Sequence, residues 1–170
     1  EGIQAVHSPD VEPNMQTYLL FLRGQQLANL YDDYGVKLME SNVRSFLSMR
    51  GKVNKGIRKT INDDPSRFVA FNNGLTATAS SIETNDEGNI TAINNLQIVN
   101  GGQTTASIYY TWKEDKANLD QIVVPVKLVV VREETARELI PSISRFTNSQ
   151  NKVAEADFSS NSEYQIKLEQ

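Results

Sequence analysis

The chain has 170 residues and no cysteine. That excludes disulfides, thiolate metal sites and a cysteine nucleophile. It has one histidine, His7, near its start. A histidine-based triad or a multi-histidine metal centre needs more. No apolar run approaches the ~20 residues of a membrane-spanning helix. The opening, EGIQAVHSPDVEPNMQ, is polar and lacks the apolar segment of a secretory signal. The expectation is a cytoplasmic protein with no membrane partner. The sequence shows no internal repeat and no low-complexity tract. It begins without Met and closes on helix-like SEYQIKLEQ, so it reads as one domain, residues 1–170, excised from a longer protein.

Acidic residues are absent from one stretch. Between Ser41 and Asn62 stand Arg44, Arg50, Lys52, Lys55, Arg58 and Lys59, with no Asp or Glu. That window carries +6, so a net charge of −4 leaves −10 on the rest of the chain. A basic island in an acidic protein suits an anionic partner such as nucleic acid. The plain alternative is a solvated helix face answered by acids elsewhere in the fold.

Apolar periodicity predicts the elements. TYLLFLRG (17–24) reads as a buried strand closed by glycine. In QQLANLYDDYG (25–35), Leu27, Leu30, Tyr31 and Tyr34 fall at helical spacing, with Gly35 as the stop. Val43, Phe46 and Leu47 share a helical face behind Ser41 or Asn42 as N-cap, and Val53, Ile57 and Ile61 predict a basic amphipathic helix. RFVAF and LTATASSIET read as strands flanking an Asn72-Asn73-Gly74 hairpin turn. NDEGN (85–89) reads as a second turn, leading into ITAINNLQIV. A helix is expected near 104–113. IVVPVKLVVV (122–131) has the pattern of a strand buried on both faces, with Pro125 pointing to an edge or a strand start. EETARELIPSISRF reads as a helix that Pro141 kinks or divides, ending at TNSQNKV (147–153), and FSSNSEYQIKLEQ as a final helix. The order β-α-α-β-β-β-α-β-α predicts a mixed α/β or α+β single domain, with a central mixed sheet flanked by helices.

The stretch IVNGGQTT carries the chemistry. A strand that ends in glycines, with threonine at the following helix start, can bind an anion. The first N–H groups of a helix have no internal partner and lie at the positive end of its dipole. Glycine lets a phosphate approach the backbone. Thr104 or Thr105 could cap the helix or offer a hydroxyl to the ligand. Asn100 and Gln103 present amide donors and acceptors beside Gly101 and Gly102. There is no lysine inside the loop, so a cation must come from elsewhere, and the basic island is the expected source. The alternative is a tight glycine turn with threonine as cap.

Amides also cluster at Asn42, Asn54, Asn72, Asn73, Asn148, Gln150 and Asn151. Each alone fits a turn or cap. Convergence of Asn72, Asn73, Gly74, Asn148, Gln150 and Asn151 on the loop would instead build a cleft suited to a nucleotide or a nucleic-acid strand. Carboxylates are scattered. Asp63-Asp64 precede Pro65 and fit a helix stop. Glu155 and Asp157 could hold Mg²⁺, though Asp157 equally fits an N-cap. No metal site and no catalytic constellation are predicted.

LMESNVRSFL…KVNKGIRKTI, FVAFNNGLTATA, LQIVNGGQTTASI, VPVKLVVV and FTNSQNKVAEADF, in this order from about Leu27 to Phe158, resemble the AIPR family, named for abortive infection and phage resistance. The resemblance implies a cytoplasmic bacterial protein of antiphage defence, often larger than this chain and found near restriction systems. IVNGGQTTASI is also similar in layout to the strand–DGQHR–helix signature of ParB-like and DGQHR-domain proteins, several of which bind or hydrolyse nucleotides. Asn100, Gly102 and Gln103 would match its Asp, Gly and Gln. Thr104 and Thr105 stand where that signature has His and Arg, so its cation is missing. Three functions are therefore expected in order: a nucleotide- or nucleic-acid-binding module of a defence protein; a Mg²⁺-dependent nuclease or NTPase completed by flanking regions; and a scaffold that senses a phage or defence-system protein.

Overall fold

A computed structural model of the chain describes residues 2–9, 12–39 and 54–149. Its elements run β1 (Ala5–His7), β2 (Met15–Arg23), α1 (Gly24–Tyr34), α2 (Lys55–Asp63), α3 (Phe68–Phe71), β3 (Leu75–Ala79), β4 (Ser81–Thr84), β5 (Ile90–Asn94), β6 (Gln97–Asn100), α4 (Gly102–Asp115), β7 (Val123–Val131) and α5 (Glu133–Ser149). Five strands form a mixed sheet in the order β1-β2-β7-β3-β6, and β4 and β5 form a separate pair. The fold is mixed α+β, as the interleaved pattern predicts.

The apolar run of β7 places it at the sheet centre, antiparallel to β2 over nine residue pairs and parallel to β3 from Val126 onward. Pro125 is therefore not on an edge, although it does lie near the strand start. Its carbonyl faces Gly74, so its missing N–H falls on the side where β3 has not yet begun. Strand alternation sends Leu20, Leu22, Val124, Val126 and Leu128 to one face, where they join Leu27 of α1 in the core. Val99, Val129 and Val131 are buried on the other face, where α5 packs on β6 and β7.

Three expectations are overturned. RFVAF is not a strand: Pro65–Arg67 form a 3-10 turn and Phe68–Phe71 one α-helical turn. Proline pre-sets φ for a first helical turn, and this turn buries Phe68 completely while leaving Phe71 outside. Asn72-Asn73-Gly74 is consequently a helix-to-strand link and not a hairpin turn. LTATASSIET and ITAINNLQIV are each split, at Ser80 and at Asn95, where Asn95 takes a left-handed φ of 54°. β3 pairs with β6 in the main sheet, while β4 and β5 continue as a hairpin that leaves it. The NDEGN turn closes that hairpin as expected: Asn85 Oδ1 accepts from the N–H groups of Glu87 and Asn89.

The helix of residues 25–35 stands as predicted, stopped by Gly35 at φ 53°. The helix near 104–113 begins earlier, at Gly102. Pro141 lies inside a single continuous α5, which runs through Thr147 and Asn148 to Ser149. The helices predicted around Val43 and within 158–170 lie outside the described residues.

The amphipathic basic helix is α2. Asn54 caps it, its Oδ1 accepting from Gly56 and Ile57 N–H, and the Asn54 N–H donates to Ser107 Oγ of α4 at 3.0 Å. Further along α2, Arg58 Nε donates to Asp115 Oδ2 at 2.7 Å, Arg58 Nη2 to Asp115 Oδ1, and Asn62 Nδ2 to the same carboxylate at 2.9 Å. Arg58 also pairs with Glu114 at 3.2 Å. The bonds from Arg58 and then Asn62 hold the Asp115 carboxyl below its ordinary range. A carboxyl lowered in the folded state stabilises above its unfolded value, about pH 4, and the contribution fades as pH falls through the lowered one. Asp115→Asn should therefore unfold at lower denaturant than the native chain near neutral pH, and the gap should close well below about pH 4. A gap that persists in acid would remove the ion pair as its cause.

Candidate functional site

β6 ends at Asn100, and the chain turns into α4 through Gly101, whose φ of 94° and ψ of 14° are left-handed. A Cβ on Gly101 would stand 2.9 Å from the Gly74 carbonyl oxygen and 3.2 Å from Leu75 Cα. Gly74, at φ 76°, is itself pressed against Pro125, whose Cγ would be 2.8 Å from a Cβ there. Backbone therefore rests on backbone from β7 through Gly74 to Gly101, and no side chain fits between. Gly102 is different. Its Cβ position meets Met39 Sδ at 3.0 Å, the end of a flexible side chain, and its φ is unremarkable. The first glycine is demanded by geometry; the second leaves the helix start bare.

The threonines do not cap this helix. α4 begins at Gly102, no side chain among the described residues bonds the N–H groups of its first turn, and Thr105 Oγ1 turns back to the Gly101 carbonyl at 3.2 Å. Thr105 N–H makes the first bond of the helix, also to Gly101 O. The N–H groups of Gly102, Gln103 and Thr104 precede it and have no carbonyl one turn back. They lie at the positive end of a 14-residue dipole. Gln103 is exposed and Thr104 half-buried beside them.

Three sequence-distant segments meet here. Thr76 is paired with Asn100 across β3 and β6. Asn100 Nδ2 donates to the Thr147 carbonyl at 2.8 Å, and Asn148 Nδ2 donates back to the Val99 carbonyl at 3.0 Å. The two amides form a reciprocal clasp between the end of β6 and the last turn of α5. Asn148 also bonds the Ser144 carbonyl within its own helix, and Asn72 Nδ2 bonds the Phe68 carbonyl. Asn72, Asn100 and Asn148 thus direct their amide donors to main chain, which orders the loop's surroundings. Asn73 is exposed at the start of the Gly74 turn. Gln150, Asn151, Glu155 and Asp157 lie outside the described residues.

The expected cations are arranged differently. Arg44, Arg50 and Lys52 lie outside the described residues. Arg58 is bound at the C-terminal end of α4, about 20 Å along the helix from Gly102 at its 1.5 Å rise per residue. Lys55 and Lys59 are exposed on α2. A cation that sequence reasoning passed over is closer. Lys127 is exposed on β7, and the register Lys127–Thr76–Asn100 sets it on the loop's row, two strands away, roughly 10 Å. Its signal was a single charge in an otherwise apolar strand. Among the described residues no three His, Asp or Glu side chains gather as for a metal, and no helix is long and apolar enough to cross a membrane.

Gly101→Ala should cost about 1–2 kcal/mol for the left-handed backbone alone, and more through contact with Gly74. Gly102→Ala should shift the denaturation midpoint little, because only Met39 must move. Equal effects at the two positions would contradict this division of roles.

The AIPR protein family matches residues 39–170, which includes the loop, α2 and all of β3 to α5. No curated protein and no solved structure matches the chain. The matched span covers more than three-quarters of the sequence and contains the strand–glycine–helix loop with β3, β7 and α5 around it; the chain belongs to the AIPR protein family.

Proposed function

We propose that this chain serves in abortive-infection defence against phage, in the cytoplasm, and that it binds a nucleotide or nucleic-acid phosphate at the loop from Asn100 to Thr105. The family supplies the context. The observation that carries the binding reading is the start of α4: glycine backbone at the N-terminus of a 14-residue helix, with no side chain among the described residues bonding the N–H groups of its first turn. Main-chain N–H groups and the helix dipole would hold the phosphate, Gln103 would reach a neutral polar edge, and Lys127 would add charge from the sheet. The clasp of Asn100 and Asn148 would keep the cradle in shape without touching the ligand.

Hydrolysis by this site would need groups beyond those described, since neither a carboxylate cluster nor a lysine stands in the loop. A Mg²⁺-dependent nuclease or NTPase would draw on groups outside the described residues. One observation favours the scaffold reading: Val6, Leu19 and Phe21 share one strand face and are 68%, 57% and 60% exposed. An apolar sheet face of that kind suits a protein partner.

Titration of the chain with ATP and with a fluorescent single-stranded oligonucleotide tests the proposal. Gly102→Val and Gln103→Ala should weaken binding while the fold, followed by circular dichroism, is retained. Lys127→Ala should weaken it and flatten its salt dependence. Undiminished affinity in both loop variants would take the loop out of the site. No binding of either anion, beside a stable protein complex lost in Phe21→Asp, would favour the scaffold.

A further inference from the structure

The hydrophobic core is not filled between the main sheet and the β4–β5 hairpin. A cavity of about 530 Å³ opens there. Its floor is the α1 side of the sheet, with Leu20, Ala77 and Val126. Leu27 and Leu30 of α1 form one wall, and Ile90 and Ile93 of the hairpin face them. Its cause lies in the chain path. The breaks at Ser80 and Asn95 lift β4 and β5 out of the main sheet, so the hairpin's apolar side looks back at the floor instead of lying on it.

A volume of this size lies within the roughly 300–1,000 Å³ of small-molecule sites. Aliphatic walls hold water poorly, which favours an apolar occupant over solvent. The mouth is polar. Lys37, just past the end of α1, is exposed there, and among the described residues it is the one charged side chain lining the cavity. Asn95 and Gln97 add amides to the lining, the Asn95 amide donating to Ser80 Oγ at 3.0 Å. An extended apolar body with a single cation at its entrance is complementary to a flexible aliphatic chain that ends in one negative charge.

We propose that this cavity binds an aliphatic monocarboxylate of the fatty-acid class, with its chain between α1 and the β4–β5 hairpin and its carboxylate at Lys37. The site is separate from the loop that opens α4 and rests on none of the loop's chemistry. Isothermal titration of the whole chain with dodecanoate should show saturable binding of one molecule per chain. Leu30→Trp, which fills the cavity from the helix wall, should abolish it. Lys37→Met should weaken dodecanoate about two- to fivefold, as for an exposed ion pair, and leave dodecanol unchanged. Nuclear Overhauser contacts from the bound chain should fall on the methyl groups of Ile90 and Ile93, a readout that needs no variant. Absence of saturable binding, contacts confined to other residues, or undiminished binding in a folded Leu30→Trp protein would overturn the proposal. Equal losses of dodecanoate and dodecanol in Lys37→Met would overturn the carboxylate assignment.

Discussion

The close approach of three backbone segments, Pro125 to Gly74 and Gly74 to Gly101, is the constraint on which the rest depends. β7 is the central strand, held by β2 on one side and β3 on the other. Gly74 sets where β3 begins beside it. Gly101 then fixes where β6 ends and how α4 departs. A side chain at either glycine would push the helix start away from the sheet. The Asn100–Thr147 and Asn148–Val99 bonds add the end of α5 to the same point. The first satisfies a carbonyl in the last turn of α5 and the second a carbonyl near the end of β6, so amides order the loop's neighbourhood.

Charge is distributed by that same packing. The basic helix α2 lies along α4 and hands Arg58 to Asp115 and Glu114 at the acidic end of α4. This is the bland role for a basic run, a helix face answered by acids on its neighbour. A second ion pair, Lys113 to Asp32 at 2.9 Å, joins α4 to α1. Asp32 is held below its ordinary range by Lys113 and then Tyr109, and Tyr109 is pushed up by the same carboxylate. The acids and bases of α4 thus bind helices together at its far end, while its first turn has no side-chain partner among the described residues.

Apolar surface shows a complementary asymmetry. On the α1 side the hairpin stands off the sheet and leaves a cavity. On the α5 side, α5 covers β6 and β7, but Val6, Leu19 and Phe21 of β1 and β2 remain exposed. β2 is apolar on both faces: Leu20 and Leu22 are buried on one, and Leu19 and Phe21 are exposed on the other. That is unusual for a strand with one face open to solvent.

The sequence by itself determined the elements whose signals are local. Helical spacing with a terminal glycine specified α1, the Asn85–Asn89 turn specified the hairpin end, and a β-branched run specified β7. It also determined that Asn100-Gly101-Gly102 separates a strand from a helix, since few other residue types tolerate that exit. Tertiary structure decided what local pattern leaves open. RFVAF became a helical turn because Phe68 found a buried seat, and two long strands broke so that each half could pair in a different sheet. Arg58 was legible as a cation but not as a bound one, because its partners are 56 and 57 residues away in sequence. Lys127 came to share a row with Asn100 only through pairing register. Periodicity reports which side of its own element a residue occupies; which other element meets that side is set by packing among segments far apart in the chain.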